Sequence, residues 1–305
     1  MANNHFKILQ INAQKSQAAS SLVIKTANDL EADIILIQEP YTKNNAIICF
    51  GQWQVLYKGK GEERPKSGVI IRNKNINAAL IPDLSLTKIT TVGIQNGPIE
   101  FVICIYFSPY EEDKSCVNEL GSIFQALQFK KLLVAGDANA KSPIWHHEEE
   151  DERGRLIKDI LNEYDLTSMN TSKLPTFFNG RAQGWTDICL APTELSNIII
   201  NCETILKDSV SDHRYILTTL NYNHPQLDLG TNKYQKRTNW DQFRSLFASN
   251  WRRYNFVPLI DPCSIDNYVQ HLTDSINSAN ILSSTLKPSN TYRTHWWTDR
   301  LENKK

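Results

Sequence analysis

The sequence predicts an α/β (α+β) fold, a four-layered αββα sandwich with two mixed sheets face to face and helices outside. Three observations lead there. The chain opens with strand, helix and strand patterns, residues 54–106 carry successive strand runs with no helix among them, and strand candidates far outnumber helices. In order, residues 5–11 form an apolar strand candidate. Residues 17–31 place Ala19, Leu22, Val23, Thr26 and Leu30 at helical spacing, and 34–37 is an apolar run. Further strands fit 54–57, 68–72, 89–94, 100–106, 131–135, 187–191 and 215–220, with Gly, Pro and Asn between many of them. Helices fit 114–129 and 154–164. After Asn221 the text turns polar through His224-Pro225-Gln226 and Lys233 to Arg237, which reads as a linker. The expected domains are therefore 1–222 and a partly helical C-terminal extension over 223–305, with helical periodicity in 240–251 and 264–283.

The chain has 305 residues, 41% of them hydrophobic, enough for a full core. No apolar run reaches the roughly 18 residues a membrane span needs, and the amino terminus lacks a signal-peptide pattern. Neither a membrane partner nor secretion is expected. Six cysteines without a Cys-x-x-Cys pair argue against a zinc site and a disulfide framework. The zero net charge hides an asymmetry: residues 1–223 hold 22 basic and 26 acidic side chains, leaving 11 and 7 beyond them. The main body is no polycation, so nucleic-acid contact would need a local patch, or a metal ion offsetting clustered carboxylates.

The polar residues that carry chemistry sit at strand ends, where side chains converge while the core stays apolar. Taken singly, each has an ordinary explanation: Asn12 as a helix cap, Gly136-Asp137 as a turn, Asp212-His213 as a loop end. Together they form five ordered signatures: Leu9-Gln10-Ile11-Asn12, Gln38-Glu39-Pro40, Tyr106-Phe107-Ser108-Pro109, Gly136-Asp137-Ala138-Asn139 and Ser211-Asp212-His213-Arg214, with Asp187 between the last two. Over residues 5–220 this set resembles the endonuclease/exonuclease/phosphatase superfamily, which includes DNase I, the apurinic/apyrimidinic endonucleases and the endonuclease domains of LINE-type (non-LTR) retrotransposons. The resemblance implies a DNase-I-like sandwich and hydrolysis of phosphodiesters.

That chemistry needs an oriented water, a base, and positive charge for the phosphoryl oxygens. Glu39, with Asp212 as a looser second ligand, suits Mg²⁺, with Mn²⁺ able to substitute. Asp137 is the expected base, and Asn139 and Asn12 orient water, phosphate or carboxylates. The resemblance further implies that Asp187 pairs with His213 and keeps it charged for phosphate, and that Tyr106 donates a hydrogen bond. Gln14 departs from the repair enzymes, whose motif carries an acidic residue there, which puts a second metal site in doubt.

Lys15-Ser16-Gln17-Ala18-Ala19, Ile37 to Tyr41, Gly136 to Ala140 ahead of Pro143-Ile144-Trp145, Arg153-Gly154, and Pro175-Thr176-Phe177-Phe178 leading to Trp185-Thr186-Asp187 look like insect LINE elements. In those the stretch from Thr176 to Asp187 is a hairpin that touches DNA. Here Asn179-Gly180 is its turn and Arg181 its tip, so Arg181, Asn179, Ser211 and Thr176 are the candidate DNA contacts. Lys58, Lys60, Arg64 and Lys66 form a second basic run, equally readable as a charged loop. His146-His147 before the acidic run 148–152 reads as solvated rather than metal-binding.

The tail phrase Trp296-Trp297-Thr298-Asp299-Arg300-Leu301 resembles the approach to a reverse transcriptase in LINE proteins, so the chain reads as the amino-terminal part of a larger protein or a truncated copy. The expected activity is a Mg²⁺-dependent endonuclease that nicks double-stranded DNA to give a 3′-hydroxyl for reverse transcription. Element RNA and a reverse transcriptase region would be partners, acting in the nucleus and otherwise residing in the cytoplasm. A repair endonuclease or phosphatase of the same superfamily, and an inactive nucleic-acid-binding remnant, are the alternatives.

Overall fold

The computed structural model describes residues 5–59, 63–128, 130–222, 236–252, 258 and 261–286. The chain divides into two compact units, Met1–Pro225 and Gln226–Lys305. In the first unit the elements run β1 (His5–Asn12), α1 (Gln17–Asp29), β2 (Ile34–Gln38), β3 (Gln54–Leu56), β4 (Ser67–Ile71), β5 (Asn77–Leu80), β6 (Ile89–Gln95) and β7 (Phe101–Tyr106). They continue with α2 (Asp113–Ala126), β8 (Leu132–Asp137), α3 (Glu152–Glu163), β9 (Leu166–Ser168), β10 (Asp187–Pro192), β11 (Ile199–Ile205) and β12 (Tyr215–Asn221).

Two six-stranded sheets result, ordered β11-β12-β1-β2-β4-β3 and β9-β10-β8-β7-β6-β5. Each is mixed: β1 and β2 are parallel, as are β7 and β8, and the other neighbours are antiparallel. Strand alternation explains the four layers. Phe6 and Ile8 of β1, Ile34 and Leu36 of β2, Val102 and Cys104 of β7, and Leu133 and Ala135 of β8 share one buried cluster between the sheets. Leu9, Ile11, Ile35 and Ile37 turn the other way, onto Ala19, Val23 and Ala27 of α1. Ile103, Val134 and Leu190 likewise meet Leu120 and Phe124 of α2 and Ile157 and Leu161 of α3. The predicted sandwich is the observed one.

Gly136 shows how tightly the second sheet is drawn together. A Cβ there would stand 1.9 Å from the Ile105 carbonyl oxygen on the parallel neighbour β7. Backbone cannot rotate away as a side chain can, so Gly136→Ala is expected to destabilise the fold by about 3 kcal/mol. A urea midpoint unchanged from the parent would show that β7 and β8 can part without loss.

Several elements escaped the sequence pattern. β5, β9 and β11 were not expected, and α2 stops at Ala126, short of the predicted 129, a residue outside those described. α1 ends at Asp29 because Glu31 takes a left-handed conformation, φ 55°. In the second unit α4 (Trp240–Trp251) and α5 (Pro262–Ser283) match the expected helical segments. Trp240, Phe243, Phe247 and Trp251 succeed one another along one face of α4, and Trp251 meets Tyr268 and His271 of α5. A short pair of strands, Lys236–Thr238 and Ser284–Leu286, closes this unit. Of the predicted linker, 223–235 lies outside the described residues, as does the Trp296 to Leu301 phrase, while Lys236 and Arg237 at the linker's end belong to the first of those short strands instead. No helix among the described residues is long and apolar enough to cross a membrane.

Candidate active site

The inward rows that are apolar in the core become polar at one end. Phe6 and Ile8 are followed by Gln10 and Asn12, Leu133 and Ala135 by Asp137, Val102 and Cys104 by Tyr106, while Asp187 precedes Cys189 and Ala191. Pairing then sets these ends side by side. Asp137 is opposite Tyr106 on one neighbouring strand and opposite Asp187 on the other.

Asn12 reaches across from the other sheet, and its Nδ2 donates to Asp137 Oδ2 at 2.8 Å and to Glu39 Oε2 at 3.5 Å. Its Oδ1 accepts from the Gln14 backbone N–H at 2.9 Å, which fixes the amide's orientation. Asn139 donates twice more to Asp137, from its backbone N at 3.1 Å and its Nδ2 at 3.2 Å. Asp137 is nevertheless 1% exposed. Burial, then the like charge of Asp187, pushes its pKa up to about 7, against the pull of His213, Asn12 and Asn139.

His213 Nδ1 lies 2.9 Å from Asp187 Oδ2, and its Nε2 lies 3.8 Å from Asp137 Oδ2. Burial disfavours the imidazolium, but Asp187, Asp137 and Glu39 outweigh it and raise the pKa to about 9. The pair is therefore Asp⁻ and His⁺ at neutral pH. Asp187 works against its own burial: His213, Thr176 and Thr186 hold its pKa below the usual range. Phe177 packs its ring against the imidazole at 5.2 Å, and the Ser209 hydroxyl donates to the His213 carbonyl at 2.6 Å.

Glu39 is half-buried at the mouth, in a left-handed backbone conformation (φ 43°), its Oε1 2.8 Å from Lys15 Nζ. Tyr106 lies near Glu39, and burial followed by the charges of Glu39 and Asp137 raises its pKa, so it stays a donor. Asp212 is held by Gln14, whose Oε1 accepts the Asp212 N–H at 2.9 Å and whose Nε2 donates to Asp212 Oδ2 at 3.4 Å. An amide at position 14 can do both; a carboxylate would repel Asp212.

Among the described residues no group of three or more His, Cys, Asp or Glu side chains is arranged to hold a metal. A hard cation that keeps most of its water needs only one or two carboxylates. The donor set of Glu39, with the Asp212 carboxylate, is all oxygen and fits such an ion.

All eight proposed chemical residues thus lie at one end of the sandwich, and six are joined there by a hydrogen bond or ion pair: Asn12, Glu39, Asp137, Asn139, Asp187 and His213, with Tyr106 opposite Asp137 on the neighbouring strand. Asp212 joins them through Gln14. Of the expected DNA contacts, Arg181 is exposed at the tip of the hairpin pairing Phe177–Phe178 with Gln183–Gly184. Asn179 closes that turn, its Oδ1 accepting from the N–H groups of Arg181 and Ala182. Ser211 is half-buried and donates to the Asn12 carbonyl at 2.7 Å. Thr176 is corrected: it is 1% exposed, and its hydroxyl accepts the backbone N–H groups of Thr186 and Asp187. A hydroxyl so enclosed holds Asp187 in place instead of facing a duplex.

Gln10 was missed, although it shares the inward row of β1; its Nε2 donates to Asp187 Oδ1 at 3.2 Å. In the basic run, Lys58 donates to the Pro82 carbonyl and Lys66 pairs with Glu111. Arg64 and Lys66 line a cleft of about 440 Å³ beside Lys15 and Glu39, and Lys60 lies outside the described residues. The acidic run is exposed over 148–150, as expected, and it also makes contacts that were not expected: Glu149 meets Lys141, Glu150 meets Lys158, and Asp151 caps α3.

Residues 101–217 match the model of a family described as "Endonuclease-reverse transcriptase". No curated protein matches the chain. Among solved structures, the endonuclease domain of TRAS1, a telomere-specific non-LTR retrotransposon, is 26% identical with a TM-score of 0.64, over 72% of this chain and 99% of that one. An apurinic/apyrimidinic endonuclease from Leishmania major shares the fold at 11% identity and TM-score 0.57, over 72% and 89%. One from Archaeoglobus fulgidus does so at 18% and 0.54, over 71% and 99%. Part of the first unit thus matches an endonuclease-reverse transcriptase family model, and the unit is similar in sequence and in fold to the endonuclease domain of a non-LTR retrotransposon.

Proposed function

We propose that this chain is a divalent-metal-dependent endonuclease, with Mg²⁺ the natural ion and Mn²⁺ a substitute, that nicks double-stranded DNA and leaves a 3′-hydroxyl able to prime reverse transcription. The observation that carries it is the juxtaposition of Asp137, held near neutrality in its pKa, with an imidazolium 3.8 Å away that Asp187 keeps charged. A carboxylate poised to take a proton beside a fixed cation suits attack by water on a phosphodiester.

Asp137 accepts the proton of the attacking water, whose oxygen forms the new bond to phosphorus. Asn139 and Asn12 hold the carboxylate so that one oxygen faces that water. His213 Nε2–H and the Tyr106 hydroxyl donate to phosphoryl oxygens as charge gathers there, and the bond from phosphorus to the 3′-oxygen breaks, the leaving oxyanion taking a proton from solvent to become the 3′-hydroxyl. Glu39 and Asp212 would hold the metal ion, which would supply further positive charge for the phosphate. Arg181 and the cations near Glu39 contact the flanking backbone. Element RNA and a reverse transcriptase region are the proposed partners, and the proposed location is the nucleus when the substrate is genomic DNA and the cytoplasm otherwise.

The test is nicking of supercoiled plasmid with Mg²⁺, with Mn²⁺ and with EDTA, followed by polymerase extension from the nick. Metal-dependent open circles that extend without end repair are expected. Cleavage confined to duplexes bearing an abasic site would replace the reading with a repair endonuclease, and binding without cleavage would replace it with a nucleic-acid-binding module. Because the base must be deprotonated and the imidazole protonated, the rate is expected to rise through about pH 7 and fall through about pH 9. A rate independent of pH between 6 and 8 would remove Asp137 as the base.

A further inference from the structure

One buried cation has no part in the chemistry above. Arg153, in the first turn of α3, is 3% exposed. Its Nε donates to Asp113 Oδ1 at 2.7 Å. Nη1 donates to the carbonyls of Ala138 at 3.0 Å and Asn139 at 3.3 Å, and Nη2 to those of Ser108 at 3.0 Å and Glu111 at 2.9 Å. A guanidinium offers five N–H donors in a planar fork, and five acceptors are present here. Two of the carbonyls belong to the segment after β8 and two to the segment after β7, so one side chain joins both.

The segments so joined are those of the site. Asn139 has a left-handed backbone, φ 45°, a conformation asparagine takes more readily than other residues with a side chain. Its carbonyl faces Arg153, its Nδ2 donates to the Phe107 carbonyl at 3.0 Å, and the same Nδ2 and the backbone N–H hold Asp137. The neighbouring Gly154 brings the helix start close enough: a Cβ there would stand 1.8 Å from the Lys141 carbonyl oxygen. A buried charge is weak evidence of stabilisation, and its use in this place is geometric.

We propose that Arg153 is a positioning residue: by stapling the Ala138–Asn139 segment to the Ser108–Glu111 segment, it sets where Asn139 holds the Asp137 carboxylate. The kinetic part of its test rests on the nuclease reading; the structural part does not.

Arg153→Lys keeps the charge but replaces the fork with a point charge of three donors. In the metal-loaded full chain it is expected to leave KM for an intact duplex substrate within about 2-fold and to lower kcat by about 10- to 100-fold, as misplacement of a reacting group does. The discriminating measurement is a double-mutant cycle with Asn139→Ala. If Arg153 acts through Asn139, the double variant is within about 2-fold of Asn139→Ala alone; losses that multiply overturn the proposal. Hydrogen exchange of the two chains should show faster exchange in 107–112 and 138–141 with β10 unchanged. A global change or none overturns it. If the parent cuts no DNA, the nuclease reading falls while the exchange comparison still decides the staple. Should Arg153→Lys not fold, Asp113→Asn loosens the guanidinium from its outer side and must give the same local pattern in milder form; protection unchanged in both segments overturns the proposal.

Discussion

Replacing Asp137 with asparagine is expected to abolish nicking, with a fall of about 10³-fold or more, while the fold survives. Asparagine keeps the shape that Asn12 and Asn139 grip but cannot take a proton from water. The same variant reads the carboxyl's environment. In the folded chain its pKa stands at about 7 against an ordinary 3.8, so between those values the folded chain binds a proton that the unfolded chain has released. Stability contributed by this position therefore falls as pH rises from about 4 to about 7, by up to about 4 kcal/mol at 1.36 kcal/mol per unit. Asparagine has no such loss. Urea unfolding of parent and variant across that range should diverge in the variant's favour. Parallel curves would mean that Asp137 is not held up by burial and Asp187, and the pH window for nicking would lose its basis.

His213→Ala is expected to be as damaging to activity and far more damaging to the fold. It removes the cation from beside Asp137 and leaves Asp187, 1% exposed, as a buried carboxylate without its counter-charge. Breaking a buried pair in this way costs about 3–5 kcal/mol. The imidazole's pKa is raised from 6.5 to about 9, so its ion-pair contribution is complete below about 6.5 and is lost as pH rises through 9. The penalty should thus be largest near pH 6 and shrink towards pH 10. Adding Asp187→Asn to His213→Ala removes the orphaned charge, so stability at pH 7 is expected to recover in part while nicking does not return. A double variant no more stable than His213→Ala alone would show that Asp187 is not the strained member.

Much of this was legible in the chain because the chemistry sits on the same alternation as the core. The run Phe6-Lys7-Ile8-Leu9-Gln10-Ile11-Asn12 already says that Asn12 points where Phe6 and Ile8 point. Signatures at strand ends therefore located Asn12, Tyr106, Asp137 and Asp187 in space. What the sequence did not carry was contact between distant segments whose residue types are common. Nothing near Gln14 signals that it grips Asp212, 198 positions away. Thr176 beside a hairpin reads as surface until the loop is seen folding its hydroxyl onto the backbone of Asp187. Arg153, a charged residue at a helix start, looks solvent-facing in a linear text, and only the assembled loops give it five acceptors. β11 was overlooked because Ile199 to Ile205 interrupts its apolar residues with Asn201 and Glu203.

The placement of the reacting groups on strand ends has a practical corollary for engineering. Asn12, Tyr106, Asp137 and Asp187 are anchored by ladder pairing, so their positions do not depend on the composition of the exposed turn from Asn179 to Ala182. That turn can be lengthened, shortened or exchanged as a cassette, provided Thr176, Phe177 and Thr186 at its base are retained to support Asp187 and His213. Under the proposed nuclease reading, libraries built there would vary how the protein meets a duplex while leaving the proposed hydrolytic residues as a constant chassis.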